Sequence, residues 1–384
     1  MAVLNYKSVK AMWLSQFDLA SVYQKDGVQR QKAEFTDIME NIFAKLYDMG
    51  INTAIVQMRP NADSMYPSKI YPMSKYVVGA YGREAEYDPV EIIISIAHKF
   101  RISVHAWINP MRCMTETEIK LISDKYAVGK WYNGGECENM LVKVNNNYYF
   151  DPAYSQVRQL IVSGAEEILD TYEFDGLHMD DYFYPTVEAS FDAYSYGQYV
   201  KNGGTLALED FRRDNLDKLV SSLYSLTKSK NEELLFGISP AGVISSVLNR
   251  HFANVEKWCS KDGFIDYICP QIYFGIEHPT CPYFKLCDDW QAMIKNDNVK
   301  LMIGMTLGKA KAGKDEYAKE NSDEWSRHKD IMVRCLEKTR HLRSCIGVSY
   351  FCYQYFYNSV TGAECEETRE ERSHLIPLLK EISW

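Results

Sequence analysis

Apolar runs with the character of β-strands alternate along the whole chain with apolar residues at helical spacing. The strand-like runs occupy residues 9–17, 51–58, 101–108, 234–240, 265–274, 300–307 and 345–351, and the run 174–185 begins as one more strand. After the first run, apolar residues recur at the spacing of a helix, at Phe35, Ile38, Met39, Ile42 and Leu46. Strand and helix alternating eight times predict a single (β/α)8 TIM barrel, with its active site at the C-terminal ends of the strands.

Three connections are longer than the few residues usual between a strand and its helix. They cover about residues 60–87, 113–152 and 182–205, after the second, third and fourth strands. The second connection contains a predicted hairpin, with LVKV and YYF on either side of residues 145–147. We expect one domain over residues 1–384, with these insertions above the catalytic face.

The segment FDGLHMDDYFYP, residues 174–185, carries the strongest chemical signal. Alternation along a strand turns Gly176, His178, Asp180 and Tyr182 to one face, toward the barrel mouth. Carboxylates are costly to bury, so Asp180 and the adjacent Asp181 at a strand end predict a catalytic site. The structural alternative is a turn or helix cap followed by incidental aromatic residues.

Further polar and aromatic residues follow the predicted strands. We expect the site to lie where the loops after the second, third, fourth and sixth strands converge. Glu277 is a third candidate for catalysis, and Asp18 and Asp63 also follow predicted strands. For His105 the structural alternative is a core histidine. The candidates to bind a substrate are Gln57, Arg59, Asp63, His105, Trp107, Asn109, Arg112, His178, Tyr182, Tyr184, Ser239, Gln271 and Tyr273. Arg59 and Arg112 would alternatively hold the carboxylates in place by bidentate pairing.

Composition narrows the class of partner. A formal net charge of −9 and the absence of a basic block argue against a nucleic-acid partner. Aromatic residues make up 13% of the chain, which suits either sugar stacking or ordinary core packing. No run approaches the roughly 18 apolar residues of a membrane helix. Residues 1–16 lack the regions of a signal peptide, so we expect a cytoplasmic protein, or an exported one if the natural precursor is longer.

The ten cysteines are scattered, without a CxxC pair or a histidine at ligand spacing. This pattern predicts free thiols in a reducing compartment and no metal site. We expect no cofactor either, and the sequence makes no prediction of the oligomeric state.

Six motifs at successive strand ends resemble the glycosyl-hydrolase-like family ten proteins, bacterial TIM barrels proposed to cleave glycans, including cell-wall glycan strands. The motifs are QMRPNADSMYPS, YDPVEIII, HAWINPMR, FDGLHMDDYFYP, FGISPAGV and DYICPQIYF, and the resemblance extends from Trp13 to Tyr350. It implies a glycoside hydrolase that cleaves an oligo- or polysaccharide with two carboxyl groups. The sequence departs from the family at FDPAYSQ, where such proteins often have an Asn-Pro-Gly stretch.

A weaker similarity, to family 18 chitinases, places Tyr182 where those enzymes carry their catalytic acid. Substrate-assisted cleavage by that residue is therefore disfavoured. Two other classes stay open at this point. A carbohydrate-binding protein on a barrel without chemistry would keep the aromatic residues but need no paired carboxylates. A non-hydrolytic barrel enzyme would call for a strand-end lysine, a phosphate-binding glycine loop or a metal cluster.

Overall fold

Eight parallel strands close into a barrel in the computed structural model, which describes residues 3–134, 138–181 and 183–384. In chain order the strands are β1 Val9–Leu14, β2 Thr53–Arg59, β3 Ser103–Ile108, β4 Gly176–Met179, β5 Leu235–Ile238, β6 Tyr267–Ile268, β7 Lys300–Thr306 and β8 Cys345–Phe351. Each strand pairs with the next in the chain, and β1 pairs with both β2 and β8. The predicted (β/α)8 barrel is confirmed.

The helices that pack outside the barrel have apolar inner faces, as the sequence periodicity predicts. They are Lys32–Asp48, Pro89–Lys99, Ser155–Thr171, Leu208–Lys230, Tyr283–Met293, Ile331–Thr339 and Arg369–Glu381, with Ile244–Asn249 and Val255–Trp258 between β5 and β6. Asp88 caps the second of them by accepting a hydrogen bond from the Val90 amide, 2.9 Å away, and Pro89 occupies its first turn.

Smaller elements fill the connections at the C-terminal ends of the strands. The strands Leu141–Val144 and Asn147–Phe150 form the predicted antiparallel hairpin, and Arg112–Thr115 pairs with its second strand. Gln24–Lys25 and Val28–Gln29 form a separate two-stranded ribbon. The short helices are Gln16–Tyr23, Lys75–Val78, Glu116–Ile119, Ala127–Tyr132, Ala193–Lys201, Gly308–Ala312 and Glu324–Arg327.

The first strand is shorter than the predicted run 9–17, and this prediction was wrong at its end. Ser15 begins a helix instead, because its backbone N–H and its hydroxyl donate to Asp18 Oδ2 at 2.7 and 2.6 Å. The Asp18 amide donates back to the Ser15 hydroxyl, which completes a capping box. Asp18 is therefore a structural cap, and Phe17 lies on a helix rather than a strand.

Large side chains fill the barrel interior, and glycine makes room for them. Trp13, Trp107 and Tyr267 belong to one buried cluster on the inward faces of β1, β3 and β6. Gly237 on β5 faces this cluster, and a Cβ added to it would lie 2.0 Å from Cζ of Tyr267. The interior is a packed core beneath the site rather than a pore.

Replacing Gly237 by alanine is expected to lower the free energy of unfolding by about 1–3 kcal/mol, the usual cost of overpacking. The Tyr267 ring is 1% exposed and cannot move aside. Urea denaturation measures the loss. Gly197→Ala is the matched control, since nothing lies within 4 Å of an added Cβ there and alanine favours its helix. Equal stability of Gly237→Ala and the wild type would contradict the packing described.

Nine cysteines lie in the described part of the chain, and all nine are free thiols, eight of them buried. The tenth, Cys137, lies outside the described residues. Within the same ranges, no helix is long and apolar enough to cross a membrane.

Candidate active site

A pocket of about 150 Å³ opens at the C-terminal end of the barrel. Its lining comes from the ends of seven strands and the loops that follow them, and consists of Trp13, Ser15, Phe17, Gln57, Trp107, Arg112, Asp180, Asp181, Ser239, Gln271, Tyr273 and Phe351. Five of these residues are aromatic and two are adjacent carboxylates. Aromatic walls with a few convergent polar groups are typical of a small-ligand site.

Asp180 follows β4 directly and is held by a chain of amide groups. Its side chain is 3% exposed, and Asn109 Nδ2 donates a hydrogen bond to its Oδ2. Asn109 Oδ1 in turn accepts from Gln57 Nε2 at 2.6 Å, and Gln57 Oε1 accepts from the backbone N–H of Gln16 at 2.7 Å. Every amide in this chain has its orientation fixed by the next partner. The Asp180 carboxylate is therefore held in a fixed orientation before any ligand binds.

Asp181 lines the same pocket in a different setting. Burial raises the pKa of its carboxyl, and hydrogen bonds from its own backbone and from Gln271, with the charge of Arg112, oppose that rise without cancelling it. Asp181 thus keeps its proton to a higher pH than an exposed aspartate. Two neighbouring carboxyl groups in unlike environments are suited to separate acid and base roles.

Replacing Asn109 by alanine is expected to lower any turnover at this pocket up to about 100-fold, because the Asp180 carboxylate loses its alignment. The free energy of unfolding should also fall, by about 1–3 kcal/mol, because the buried Gln57 amide loses its hydrogen-bond acceptor. Turnover per folded molecule and urea denaturation measure the two effects. Asn215→Ala is the control: Asn215 is also buried and hydrogen-bonded, but lies on the helix Leu208–Lys230. A loss of kcat equal in the two variants would contradict a positioning role for Asn109.

Two buried histidines beneath the pocket are joined by a tyrosine. Tyr267 Oη lies 2.9 Å from His105 Nδ1 and 2.8 Å from His178 Nδ1. Burial lowers the pKa of His105 to about 4 and the pKa of His178 well below its usual value. Both rings are therefore neutral near pH 7.

The partners of His178 Nε2 fix its tautomer. The Trp13 indole N–H, which can only donate, lies 3.4 Å from this nitrogen, and Ser239 Oγ lies 2.8 Å from it. His178 Nε2 is thus the acceptor, and its proton is on Nδ1. The Ser239 hydroxyl donates to His178, which leaves its oxygen lone pairs available to a ligand.

Six of the thirteen predicted binding residues line this pocket. Those that line it are Gln57, Trp107, Arg112, Ser239, Gln271 and Tyr273, together with Asp180 and Asp181. Asn109 contacts Asp180, and His178 lies beneath Ser239. Arg112 donates to the backbone oxygen of Pro60 at 2.8 Å.

Arg59 and Asp63 are buried supports of the surrounding loops rather than lining residues. The Arg59 guanidinium is 0% exposed and donates to Tyr71 Oη and to the backbone oxygens of Asn109 and Pro110. It therefore fixes the loop that follows β3. Asp63 accepts from the Asn61 amide at 2.8 Å and from Tyr81 Oη at 2.9 Å.

Three other predicted residues lie outside the lining. Glu277 is half-exposed and paired with Arg327 at 2.7 Å, and this hydrogen bond lowers the pKa of its carboxyl. Tyr184 is 2% exposed and packs edge-on against neighbouring rings, so it has no face to offer a sugar. His105 is in the barrel interior. Tyr182 lies outside the described residues.

Trp13, Ser15, Phe17 and Phe351 line the pocket but were not predicted. They lie at the ends of β1 and β8 or just after β1, within or next to runs that were predicted as continuous strand. The available signal was aromatic residues at strand C-termini. Phe351 packs between Trp13, at 6.3 Å between ring centroids, and Tyr273, at 5.9 Å.

No group of three or more His, Cys, Asp or Glu side chains is arranged to hold a metal ion within the described ranges. The chemistry visible at the pocket is that of carboxyl, amide, hydroxyl and aromatic groups.

A closed (β/α)8 barrel with paired carboxyl groups in an aromatic pocket at the strand C-termini defines the architecture of many sugar-active enzymes. The chain belongs to the Glycosyl hydrolase-like 10 family, whose model matches residues 8–325. It is 32% identical to glycosyl hydrolase YngK of Bacillus subtilis (strain 168), over 79% of this chain and 61% of that protein. It is 29% identical to glycosyl hydrolase DigH of Escherichia coli (strain K12), over 69% of this chain and 64% of that protein. The chain thus spans less than two thirds of these relatives.

Solved structures with the same barrel share little sequence with the chain. The PgaB (BpsB) glycoside hydrolase domain from Bordetella bronchiseptica aligns with a TM-score of 0.54 at 10% identity, over 96% of this chain and 99% of that one. The catalytic domain of β-amylase from Paenibacillus polymyxa aligns with a TM-score of 0.59 at 9% identity, over 96% and 98%. At such identities the likeness establishes the fold.

Proposed function

We propose that the chain hydrolyses O-glycosidic bonds of an oligo- or polysaccharide at the pocket around Asp180 and Asp181. One observation carries the proposal. Two adjacent carboxyl groups, one aimed by an amide chain and one with a raised pKa, open into a pocket with aromatic walls. Glycoside hydrolysis needs a pair of carboxyl groups with unlike roles.

The roles follow from the two settings. Asp181 donates its proton to the glycosidic oxygen as the bond from that oxygen to the anomeric carbon breaks. Asp180 acts on the anomeric carbon, either by attacking it directly or by taking a proton from the water that attacks. In both cases one water molecule is consumed, and Asp181 is protonated again before the next turnover.

The remaining groups suit a sugar ring. The rings of Phe17, Tyr273 and Phe351 at the pocket supply apolar faces for a pyranose, and the Ser239 oxygen can accept from a hydroxyl. Trp107 is buried, with 6% of its surface exposed, and its indole N–H has no hydrogen-bond partner among the described residues. A buried donor without a partner is costly, and a bound sugar hydroxyl would satisfy it.

For the substrate class, we propose a bacterial cell-wall type glycan. Two observations support this class. The six strand-end motifs resemble those of proteins proposed to cleave cell-wall glycan strands, and the chain belongs to the family that these motifs indicated. A carbohydrate-binding protein without chemistry is the rival reading, and it predicts glycan binding without any product.

Calorimetry on the Asp180→Asn variant tests the class of ligand. The variant keeps the shape of the pocket, so it should bind peptide-free cell-wall strands or chitin-like oligomers without consuming them. The wild type under the same conditions should release shorter products. Binding of a small phosphorylated metabolite and of no glycan would contradict the proposal, and glycan binding by a wild type that forms no product would favour the rival reading.

A further inference from the structure

A second cavity adjoins the proposed active site at Phe17. It has a volume of about 540 Å³ and is lined by Phe17, Asp18, Ser21, Lys311, Gln354, Asn358, Ser359, Thr361, Ala363, Glu364, Cys365, Glu366 and Glu367. Phe17 lines the catalytic pocket as well. Because one side chain belongs to both walls, the two spaces border the same ring.

Phe17 lies in the first turn of the helix Gln16–Tyr23, and hydrogen bonds fix the position of that turn. Its side chain is 64% exposed, whereas the neighbouring Gln16 and Asp18 are 4% and 1% exposed. Asp18 fixes the turn, because its Oδ2 accepts from Ser15 and its Oδ1 accepts from the Gln354 amide at 2.7 Å. An exposed ring held in place between two cavities has little part in the core and is available to a ligand that crosses from one to the other.

The second cavity is lined by polar and charged groups. Glu364 pairs with Arg372 at 3.3 Å and Glu366 pairs with Arg369. The pKa of Glu367 is lowered by hydrogen bonds from its own backbone and from Cys365, which keeps it ionised. Amide, hydroxyl and carboxylate groups accept and donate to sugar hydroxyls. Polar groups of both kinds therefore line the cavity beside the Phe17 ring.

We propose that the cavity beyond Phe17 is a sugar-binding subsite for the glycan, with Phe17 as the stacking platform between it and the catalytic pocket. The inference rests on the proposed function and adds a direction to it. The substrate extends from Asp180 and Asp181 across Phe17, so longer oligomers are better substrates than short ones.

The test uses β-1,4-linked N-acetylglucosamine oligomers of two to six residues, with kcat/KM for cleavage and Kd for binding measured on the full chain. For the wild type, kcat/KM should rise with oligomer length. In Phe17→Ala the ratio of the hexamer value to the dimer value should fall about five- to tenfold, as expected for one lost stacking contact. Tyr47→Ala is the matched control, since Tyr47 is an aromatic residue of similar exposure, 59%, on the helix Lys32–Asp48. That variant should keep the wild-type ratio.

The outcomes separate the inference from the proposed function. Cleavage with a length dependence that Phe17→Ala leaves unchanged would overturn the subsite alone. If neither these oligomers nor peptide-free cell-wall strands are cleaved, the proposed function fails, and binding decides the subsite: Phe17→Ala must then weaken binding of the hexamer more than binding of the dimer. Equal weakening of both, or no binding by the wild type, would overturn the subsite as well.

Discussion

Replacing Asp180 by asparagine is expected to lower turnover at least about 1000-fold while the protein stays folded. The substitution keeps the shape of the side chain and removes the group that acts on the anomeric carbon. Glycan affinity should change much less, because the aromatic walls and amide groups remain. The melting temperature should hold or rise, since a buried carboxylate in an active site is often destabilising. Turnover, affinity and melting temperature are measured on one preparation.

Asp175→Asn is the matched control, because Asp175 lies at the opposite end of the same strand. Its carboxylate accepts from the Leu4 amide at 2.6 Å and the Val104 amide at 2.8 Å, and lies 2.9 Å from His98 Nε2. This variant should lose about 1–3 kcal/mol of unfolding free energy and keep its turnover per folded molecule. If Asp180→Asn behaved like Asp175→Asn, losing stability but staying active, Asp180 would be a structural residue.

Replacing Asp181 by asparagine is expected to lower turnover about 100- to 10,000-fold and to remove the alkaline limb of the pH profile. In the wild type, turnover falls as pH rises through the pKa of Asp181, because only the protonated form can donate. Burial raises that pKa, so this limb lies above the range in which an exposed aspartate titrates. Aryl glycosides with good leaving groups should lose less activity than natural glycans, because their departure needs little protonation. The pH dependence of kcat/KM for both substrate types measures these effects.

Stability gives an independent check on Asp181. A carboxyl whose pKa is raised on folding stabilises the native state at low pH, and this contribution is lost as pH rises through the folded-state pKa. The asparagine variant lacks this loss, so its melting temperature relative to the wild type should increase with pH. Glu277→Gln is the control, since Glu277 is half-exposed and paired outside the pocket. A pH profile changed by Glu277→Gln and left intact by Asp181→Asn would contradict the assignment of the acid.

The alternation of strand and helix predicted the fold because each barrel strand is followed by a helix with its own apolar face. The prediction failed at strand ends, where local hydrogen bonds decide. The run VKAMWLSQF has a strand's composition, yet Ser15 and Asp18 form a capping box that starts a helix. At β6 the strand is shorter than the predicted run 265–274 and stops at Ile268, because Pro270 has no backbone N–H to donate to the ladder.

The site was predicted where polar residues directly follow strands. Asp180, Asp181, Trp107 and Gln271 have short paths from strand to pocket, so the topology alone brings them together. Glu277 lies further along its loop, where a salt bridge to Arg327 determines its position. Sequence spacing does not encode such loop packing.

Product mass after incubation in ¹⁸O-labelled water tests the central claim most directly. Peptide-free cell-wall strands and chitin-like oligomers are treated with wild type, Asp180→Asn and Asp175→Asn. The expected result is shorter products that carry one ¹⁸O atom at the new reducing end, formed by wild type and Asp175→Asn but not by Asp180→Asn. Folded wild-type protein that cleaves none of these glycans, or equal labelled product from Asp180→Asn, would contradict hydrolysis at this pocket.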